Sequence, residues 1–159
     1  LHLNRCHYRG PVLLIAAAAC LSLALYHEAR GEPLLGQLMV ARVIVNRMES
    51  RRWPSSMCNV ITQDRQFSFY RKGNAPKPRD EAAWEKSQQL AMEIIKDTKI
   101  LPQSTADHYH TTAVRPVWRR GLHRVVLIGQ HVFYSYDHPT AIKVSIRPKK
   151  RPTYLLDPT

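Results

Sequence analysis

Glu28 is the carboxylate whose surroundings best suit acid–base chemistry. It follows an uncharged apolar segment, residues 11–26, and it precedes Gly31 and Pro33, which stop a helix. An ionised carboxylate at the end of such a segment is unfavourable in a dry site. Desolvation therefore raises its pKa until the group can donate a proton near neutral pH. Because a helix end would place the carboxyl at the rim of a cleft rather than deep in a core, Glu28 is a candidate general acid. The alternative is a surface glutamate that happens to end an apolar helix.

A second carboxylate, Glu32, lies four residues after Glu28. Two carboxylates can flank a bond that is cleaved by acid catalysis, at separations that depend on the mechanism. Glu32 is bracketed by glycine and proline, so helical spacing does not predict the direction of its side chain. The alternative is a role at the helix end, in an ion pair with Arg30 or Arg42.

His108 and His110 raise the question of a zinc site, to which Asp107 or His131 could add a third ligand. Two histidines one residue apart arise easily by chance in a chain with eight histidines. The sequence also lacks a His-Glu-x-x-His motif. We therefore expect no metal and no other cofactor.

The charge of the chain limits its partners. The 159 residues fit one domain and carry a formal net charge of +12. Nucleic acid, an anionic membrane or an anionic polymer such as cell wall would each suit this charge. No helix-turn-helix, finger or Rossmann pattern favours specific nucleic acid. We expect a monomer that uses its basic charge on an anionic wall or membrane surface. The odd number of cysteines, Cys6, Cys20 and Cys58, leaves at most one internal bridge open.

The elements that position these residues follow from periodicity and breakers. The long apolar segment forms most of the first predicted helix, and the second predicted helix begins after Pro33. Asp80 is a candidate N-cap for a later helix. Branched and aromatic residues on both sides of Gly129-Gln130 predict a β-hairpin. Alternation along its second strand sends His131 and Phe133 to one face and Tyr134 to the other. The sequence thus predicts helices over residues 12–30, 34–50, 57–61 and 80–96, a loop over 63–79, irregular chain over 101–123, and strands over 124–128 and 131–136.

The N-terminus has two competing interpretations. Basic residues before the apolar segment 11–26 are typical of a signal peptide, yet its 16 residues fall short of the roughly 20 that span a membrane. We favour a buried helix that presents Glu28 over a removable signal. A membrane-tethered N-terminus that later releases is a third option. The predicted organisation is a basic segment over residues 1–10, a catalytic domain over 11–146 and a basic, poorly ordered tail over 147–159.

Several short motifs follow one another along the chain between about Leu21 and Tyr134. Each tetrapeptide is weak by itself, but the ordered set covers most of the chain. The motifs are Glu28-Ala29-Arg30-Gly31-Glu32-Pro33, Gly36-Gln37, Val40-Ala41, Asn46-Arg47, Gln66-Phe67-Ser68-Phe69, Tyr109-His110, Pro116-Val117-Trp118 and Ile128-Gly129-Gln130-His131-Val132-Phe133-Tyr134.

This ordered set resembles the SleB-type cell-wall hydrolases, the spore-cortex-lytic enzyme family. The resemblance implies an α+β, mainly helical, lysozyme-like or lytic-transglycosylase-like single domain with a small β-hairpin. It implies a glycosidase that cuts peptidoglycan between N-acetylmuramic acid and N-acetylglucosamine, as a lytic transglycosylase or a muramidase, with Glu28 as its one catalytic residue. Such an enzyme acts in the cell wall or periplasm, and the single-domain form is similar to a phage lysin delivered at lysis or in the virion.

In this interpretation, aromatic faces stack on sugar rings while amide, hydroxyl and imidazole groups bind polar substituents. The rival is a cationic, non-enzymatic protein that binds membrane or nucleic acid, which leaves Glu28 and the ordered motifs unexplained. The predicted substrate-binding residues are Glu32, Gln37, Gln66, Phe67, Ser68, Tyr109, His110, Trp118, His131 and Tyr134.

Overall fold

The apolar N-terminal segment builds the central helix of the fold. In the computed structural model, which describes residues 10–139, α1 spans Pro11–Ala24 and continues as a π-helical turn over Leu25–Ala29. Pro11 suits the first position of a helix, where no backbone N–H bond is needed. Leu21 and Leu25 are fully buried, so the second half of the segment is core helix, as predicted. The predicted single helix over residues 12–30 is wrong in one respect, because its last turn is a π turn.

The apolar stretch Pro11–Ala29 is long and apolar enough to cross a membrane by length and composition, with 44% of its most apolar window buried in the fold. Core helices and signal sequences share these properties. The exposed part is at the start, where Val12, Leu13 and Ile15 face outward. Residues 1–9 and 140–159 lie outside the described residues, as do most of the predicted N-terminal segment and the whole predicted tail.

The remaining helices follow the predicted bounds closely. α2 spans Leu34–Glu49, α3 spans Met57–Ile61 and α4 spans Glu81–Lys96. Asp80 caps α4 as expected, with its side chain accepting a hydrogen bond from the backbone N–H of Ala83 at 3.0 Å. The buried faces of these helices close one core around α1.

A disulfide between Cys20 and Cys58 joins α1 to α3. It closes a loop with a sequence separation of 38. This is the one bridge that the sequence left open, and it fixes the helix that leads to Glu28 against the helical body.

The small sheet contains three antiparallel strands in the order β1-β3-β2. β2 spans His123–Ile128 and β3 spans His131–Ser135, which confirms the predicted hairpin. β1, His108–Thr111, was not predicted, and the expectation of irregular chain over residues 101–123 is wrong there. Its four residues lack the branched pattern of an autonomous strand, and pairing with β3 makes them one. A 3₁₀ turn, Val117–Gly121, links β1 to β2.

Two side chains of α2 place β1 beside the helical body. Asn46 donates from Nδ2 to the carbonyl oxygen of Ala106 at 2.7 Å. Arg47 donates from Nε to the carbonyl oxygen of Asp107 at 2.7 Å. These bonds hold the chain immediately before β1, so that Tyr109 on the strand reaches the π turn that follows α1.

Candidate active site

Glu28 lies in the π turn at the end of the buried helix and is partly exposed. Its Oε2 accepts a hydrogen bond from the hydroxyl of Tyr109, on β1, at 3.0 Å. Its Oε1 lies 3.5 Å from the hydroxyl of Ser68, in the loop between α3 and α4. Three separate parts of the chain therefore meet at one carboxyl group.

The surroundings of this carboxyl stabilise its protonated form more than water does. Burial raises the pKa of Glu28, and the hydrogen bonds from Tyr109 and Ser68 oppose that rise because they stabilise the charged form. Burial, followed by the negative charge of Glu28, raises the pKa of Tyr109 well above its ordinary value. Tyr109 thus keeps its proton and acts as a donor to Glu28. A carboxyl group with a raised pKa can deliver a proton, and a hydrogen-bond donor fixed beside it can then stabilise the negative charge that remains.

The loop over residues 62–80 forms one wall beside Glu28. The ring of Phe69 stacks on His27 with 4.8 Å between ring centroids. Burial lowers the pKa of His27, and Nε2 of His27 lies 3.0 Å from the carbonyl oxygen of Pro76. Tyr26 accepts backbone N–H bonds at its hydroxyl from the last residues of the loop, both at 3.0 Å. The π turn therefore anchors the loop along its length. His27 and Tyr26 were missed as site residues, although both adjoin Glu28 in sequence.

The predicted loop residues divide between surface and core. Gln66 and Ser68 are exposed, so both are accessible to a substrate. Phe67 is only 2% exposed, and its ring packs in the core with the guanidinium of Arg47 5.7 Å from the ring centroid. Phe67 therefore supports the loop from below, while Phe69 is the partly exposed ring of the pair.

Glu32 binds the hairpin turn. Its side chain is 10% exposed, and Oε2 accepts a hydrogen bond from the backbone N–H of Gln130 at 3.0 Å. Gly129, at φ +55°, lies so close that an added Cβ would collide with the carboxylate. Nδ1 of His131 lies 3.8 Å from Oε1. Gln37 donates to the backbone oxygen of Glu32 at 3.0 Å. Glu32 thus joins the end of the π turn, the start of α2 and the tip of the hairpin.

The aromatic and imidazole set divides between the two faces of the sheet, as the predicted alternation requires. His131 and Phe133 pack against Tyr109, with centroid distances of 5.0 and 5.7 Å. Burial lowers the pKa of His131. Tyr109 alone of the set bonds to Glu28 within residues 10–139.

The other face of the sheet holds His110, Tyr134 and Trp118. Nε2 of His110 lies 3.1 Å from the hydroxyl of Tyr134, and Trp118 packs on both rings. Trp118 is 41% exposed, so this group opens to solvent. Nδ1 of His110 meets the carbonyl oxygen of Thr111 at 2.8 Å, which engages both ring nitrogens. In the described part of the chain, no group of three histidine, cysteine or acidic residues is arranged to hold a metal ion.

Arg47 is a buried cation that the motif Asn46-Arg47 signalled without assigning a role. It is 5% exposed, its guanidinium lies 5.5 Å from the ring centroid of Trp53, and burial lowers its pKa. Its bond to the residue before β1 makes it part of the support that presents Tyr109 to Glu28.

Comparison with known proteins agrees with this architecture. A family model described as Cell Wall Hydrolase matches residues 31–134. The spore cortex-lytic enzyme of Bacillus subtilis (strain 168) is 34% identical over 115 residues, which are 71% of this chain and 35% of that protein. The spore cortex-lytic enzyme of Bacillus cereus (strain ATCC 14579) is 32% identical over 113 residues, which are 69% of this chain and 40% of that protein. The match therefore spans little more than a third of each of these curated relatives.

Two solved structures share the fold. The crystal structure of the catalytic domain of the Bacillus cereus SleB protein has a TM-score of 0.56 and 28% identity, covering 75% of this chain and 89% of that one. The catalytic domain of the germination-specific lytic transglycosylase SleB from Bacillus anthracis has a TM-score of 0.58 and 25% identity, covering 84% and 100%. They confirm the mainly helical, lysozyme-like fold with a small sheet. The chain belongs to the SleB-type cell wall hydrolase family.

Proposed function

We propose that the chain cleaves the glycan strand of peptidoglycan between N-acetylmuramic acid and N-acetylglucosamine, with Glu28 as its general acid. The observation that carries the proposal is the carboxyl of Glu28, which has a raised pKa and a fixed donor in Tyr109. The family match begins at Gly31, so the role of Glu28 rests on this geometry and on the motif that contains it.

The reaction needs one proton donor that can also act as a base. Protonated Glu28 gives its proton to the glycosidic oxygen, and the bond from that oxygen to the anomeric carbon breaks through an oxocarbenium-like state. The carboxylate left behind accepts the Tyr109 hydrogen bond, which is stronger for the charged form. Glu28 then takes a proton from the group that attacks the anomeric carbon, either a water molecule or the 6-hydroxyl of the same muramoyl sugar.

We favour the 6-hydroxyl, which makes the enzyme a lytic transglycosylase with an anhydro product. A muramidase with a covalent intermediate needs a second carboxylate close to the first. Within residues 10–139, the side-chain partners of Glu28 are Tyr109 and Ser68. Glu32, the nearest acidic residue in sequence, is held by the hairpin turn. Because the carboxylate of Glu32 is engaged by the hairpin turn, we assign the whole reaction to Glu28, and one acid is sufficient for the intramolecular attack.

The substrate requires that the enzyme act outside the cytoplasm. A disulfide such as Cys20–Cys58 persists in an oxidising compartment, which supports action in the cell wall or periplasm. The net charge of +12 supports electrostatic attraction to an anionic wall or membrane surface. Delivery by a phage, the monomeric state and the lack of specific nucleic-acid binding stay predictions from the sequence.

The test is product analysis on purified peptidoglycan. We expect soluble fragments whose muramoyl ends resist borohydride reduction, because an anhydro end has no free aldehyde form. Reducible muramoyl ends would instead assign the enzyme as a muramidase. Binding to peptidoglycan without release of any fragment would support the non-enzymatic rival and reject the proposal.

A further inference from the structure

The loop beside Glu28 carries an excess of positive charge. Residues 63–79 contain five basic residues and one acidic residue. Asp64 lies 3.5 Å from its neighbour Arg65, and both side chains are almost fully exposed. The other four cations, Arg71, Lys72, Lys77 and Arg79, are all exposed, and we name them the cationic rim.

The cationic rim is held at a defined place by its backbone. Next to Lys77, the carbonyl oxygen of Pro76 meets Nε2 of His27 at 3.0 Å. The backbone N–H of Arg79 donates to the hydroxyl of Tyr26 at 3.0 Å. Both anchors belong to the π turn that carries Glu28. Lys77 and Arg79 therefore keep a fixed position relative to the catalytic carboxyl.

The tip of the loop is tied to the same carboxyl from the other side. Arg71 and Asn74 exchange two backbone hydrogen bonds of 3.0 Å, and positive φ angles at Lys72 (51°) and Gly73 (79°) close the turn. Nε of Arg71 donates to the carbonyl oxygen of Ser68 at 3.0 Å. The hydroxyl of Ser68 lies 3.5 Å from Glu28. A single serine thus separates the guanidinium of Arg71 from the reacting group.

The charge of the cationic rim is not neutralised by the described chain. Among residues 10–139, the ion pairs with acidic groups involve Arg52, Arg65, His108 and His131, and none of them involves the cationic rim. Exposed cations next to a cleft attract anionic groups of a substrate and disfavour cationic ones. An anion delivered by the substrate is therefore the partner that this surface lacks.

We propose that the cationic rim binds carboxylates of the stem peptide on the muramoyl sugar, so that the site prefers peptide-bearing glycan to bare glycan. This inference rests on the proposed function. N-acetylglucosamine is neutral, and so is a muramoyl sugar whose lactyl carboxyl is held in an amide. The stem peptide joined through that amide carries several carboxylates beside the muramoyl unit that is cut. Phosphates of wall polymers offer similar chemistry, but they are not attached to every muramoyl unit. Each exposed ion pair adds up to about fivefold in binding at low salt.

The test compares two soluble substrates, both freed of wall phosphate. One is glycan strands with stem peptides. The other is the same strands after an amidase has removed the peptides and the lactyl carboxylates that it exposes have been converted to methylamides. We expect wild-type kcat/KM to be about fivefold higher on peptide-bearing strands at low salt. The variant Lys72→Gln/Lys77→Gln, which removes two of the four charges of the cationic rim, should lower this ratio at least about twofold. Raising the salt should bring the ratio of the wild type close to one. The matched control is Lys86→Gln/Lys96→Gln on α4, which removes the same charge elsewhere and should keep the ratio.

Three outcomes would overturn the inference. They are a wild-type ratio near one, a loop variant that keeps the wild-type ratio, and an equal loss of the ratio in the α4 control. In a third substrate, strands that retain wall phosphate, a higher kcat/KM together with a ratio near one on the phosphate-free strands would reassign the cationic rim to phosphate binding. Failure of the wild type to cleave either strand would refute the proposed function, which distinguishes that failure from a failure of this inference alone.

Discussion

Replacing Tyr109 by phenylalanine should shift the pH dependence of cleavage upward. The change removes the hydroxyl that donates to Glu28 at 3.0 Å and keeps the ring that packs on Phe133. A hydrogen bond to a charged group is worth about 1.5–3 kcal/mol, and one pKa unit corresponds to about 1.36 kcal/mol. Because Glu28 is partly exposed, we expect the lower end, about 1.5 kcal/mol, which corresponds to a movement of the alkaline limb of the pH profile by about one pH unit.

The sign follows from the role of the acid. In the proposed mechanism Glu28 works when protonated, so the alkaline limb of kcat/KM should follow its pKa in the free enzyme. Losing the Tyr109 donor destabilises the carboxylate and raises this pKa further, so the alkaline limb should move to higher pH by about one unit. The maximal rate should fall, because the carboxylate formed during bond cleavage has lost its donor.

The assay is kcat/KM on soluble glycan strands from about pH 4 to about pH 9. Ser68→Ala should move the limb less than Tyr109→Phe does, because its contact with Glu28 is longer, at 3.5 Å. Tyr134→Phe is the matched control, because the hydroxyl of Tyr134 bonds to His110 on the opposite face of the sheet. The alkaline limb of this variant should stay at the wild-type pH. An unchanged or lowered alkaline limb in Tyr109→Phe would refute the assignment of Tyr109 as the donor that tunes Glu28.

Other predictions concern stability. Gly129→Ala should lower the free energy of unfolding by more than about 2 kcal/mol in a denaturant titration, because the new side chain would stand at φ +55° and collide with Glu32. Gly121→Ala, which has open space around it, is the control and should be nearly neutral. Cys58→Ala should lower the melting temperature by about 10 °C, and a reductant should lower that of the wild type but not of the variant. The pKa of Glu28 is higher in the folded protein than in the unfolded chain, so the free energy of unfolding declines as pH rises above the ordinary glutamate range. Glu28→Gln removes this ionisation and should therefore raise the melting temperature more at about pH 8 than at about pH 4.

The sequence predicts elements whose signals are local. Periodicity and the Asp80 cap define α4, and the branched residues around Gly129-Gln130 define the hairpin. The motif that contains Glu28 singles out the carboxyl group, which the structure places in contact with Tyr109 and Ser68. These features depend on neighbours in sequence, so they can be found without knowledge of the fold.

Features that depend on distant contacts could not be predicted. The π turn changes the side-chain directions that α-helical spacing would give, so the partners of Glu28 do not follow from α1. The role of Glu32 depends on a close approach by Gln130, 98 residues away. Pairing with β3 makes β1 a strand, and Phe67 packs beneath the loop in contact with Arg47, 20 residues earlier in the sequence. The alternation of β3 predicted which of its side chains share a face, but the packing of Tyr109 and Trp118 on these two faces needed the structure.

The catalytic role that we propose for Glu28 is tested most directly by Glu28→Gln in a lysis assay on purified peptidoglycan. Glutamine keeps the shape of the side chain and removes the proton that the reaction needs. With the fold verified by circular dichroism, we expect the release of soluble fragments to fall by about 10²- to 10⁴-fold, the usual contribution of a positioned acid. A folded Glu28→Gln protein that releases fragments at close to the wild-type rate would contradict the assignment of Glu28 as the catalytic acid.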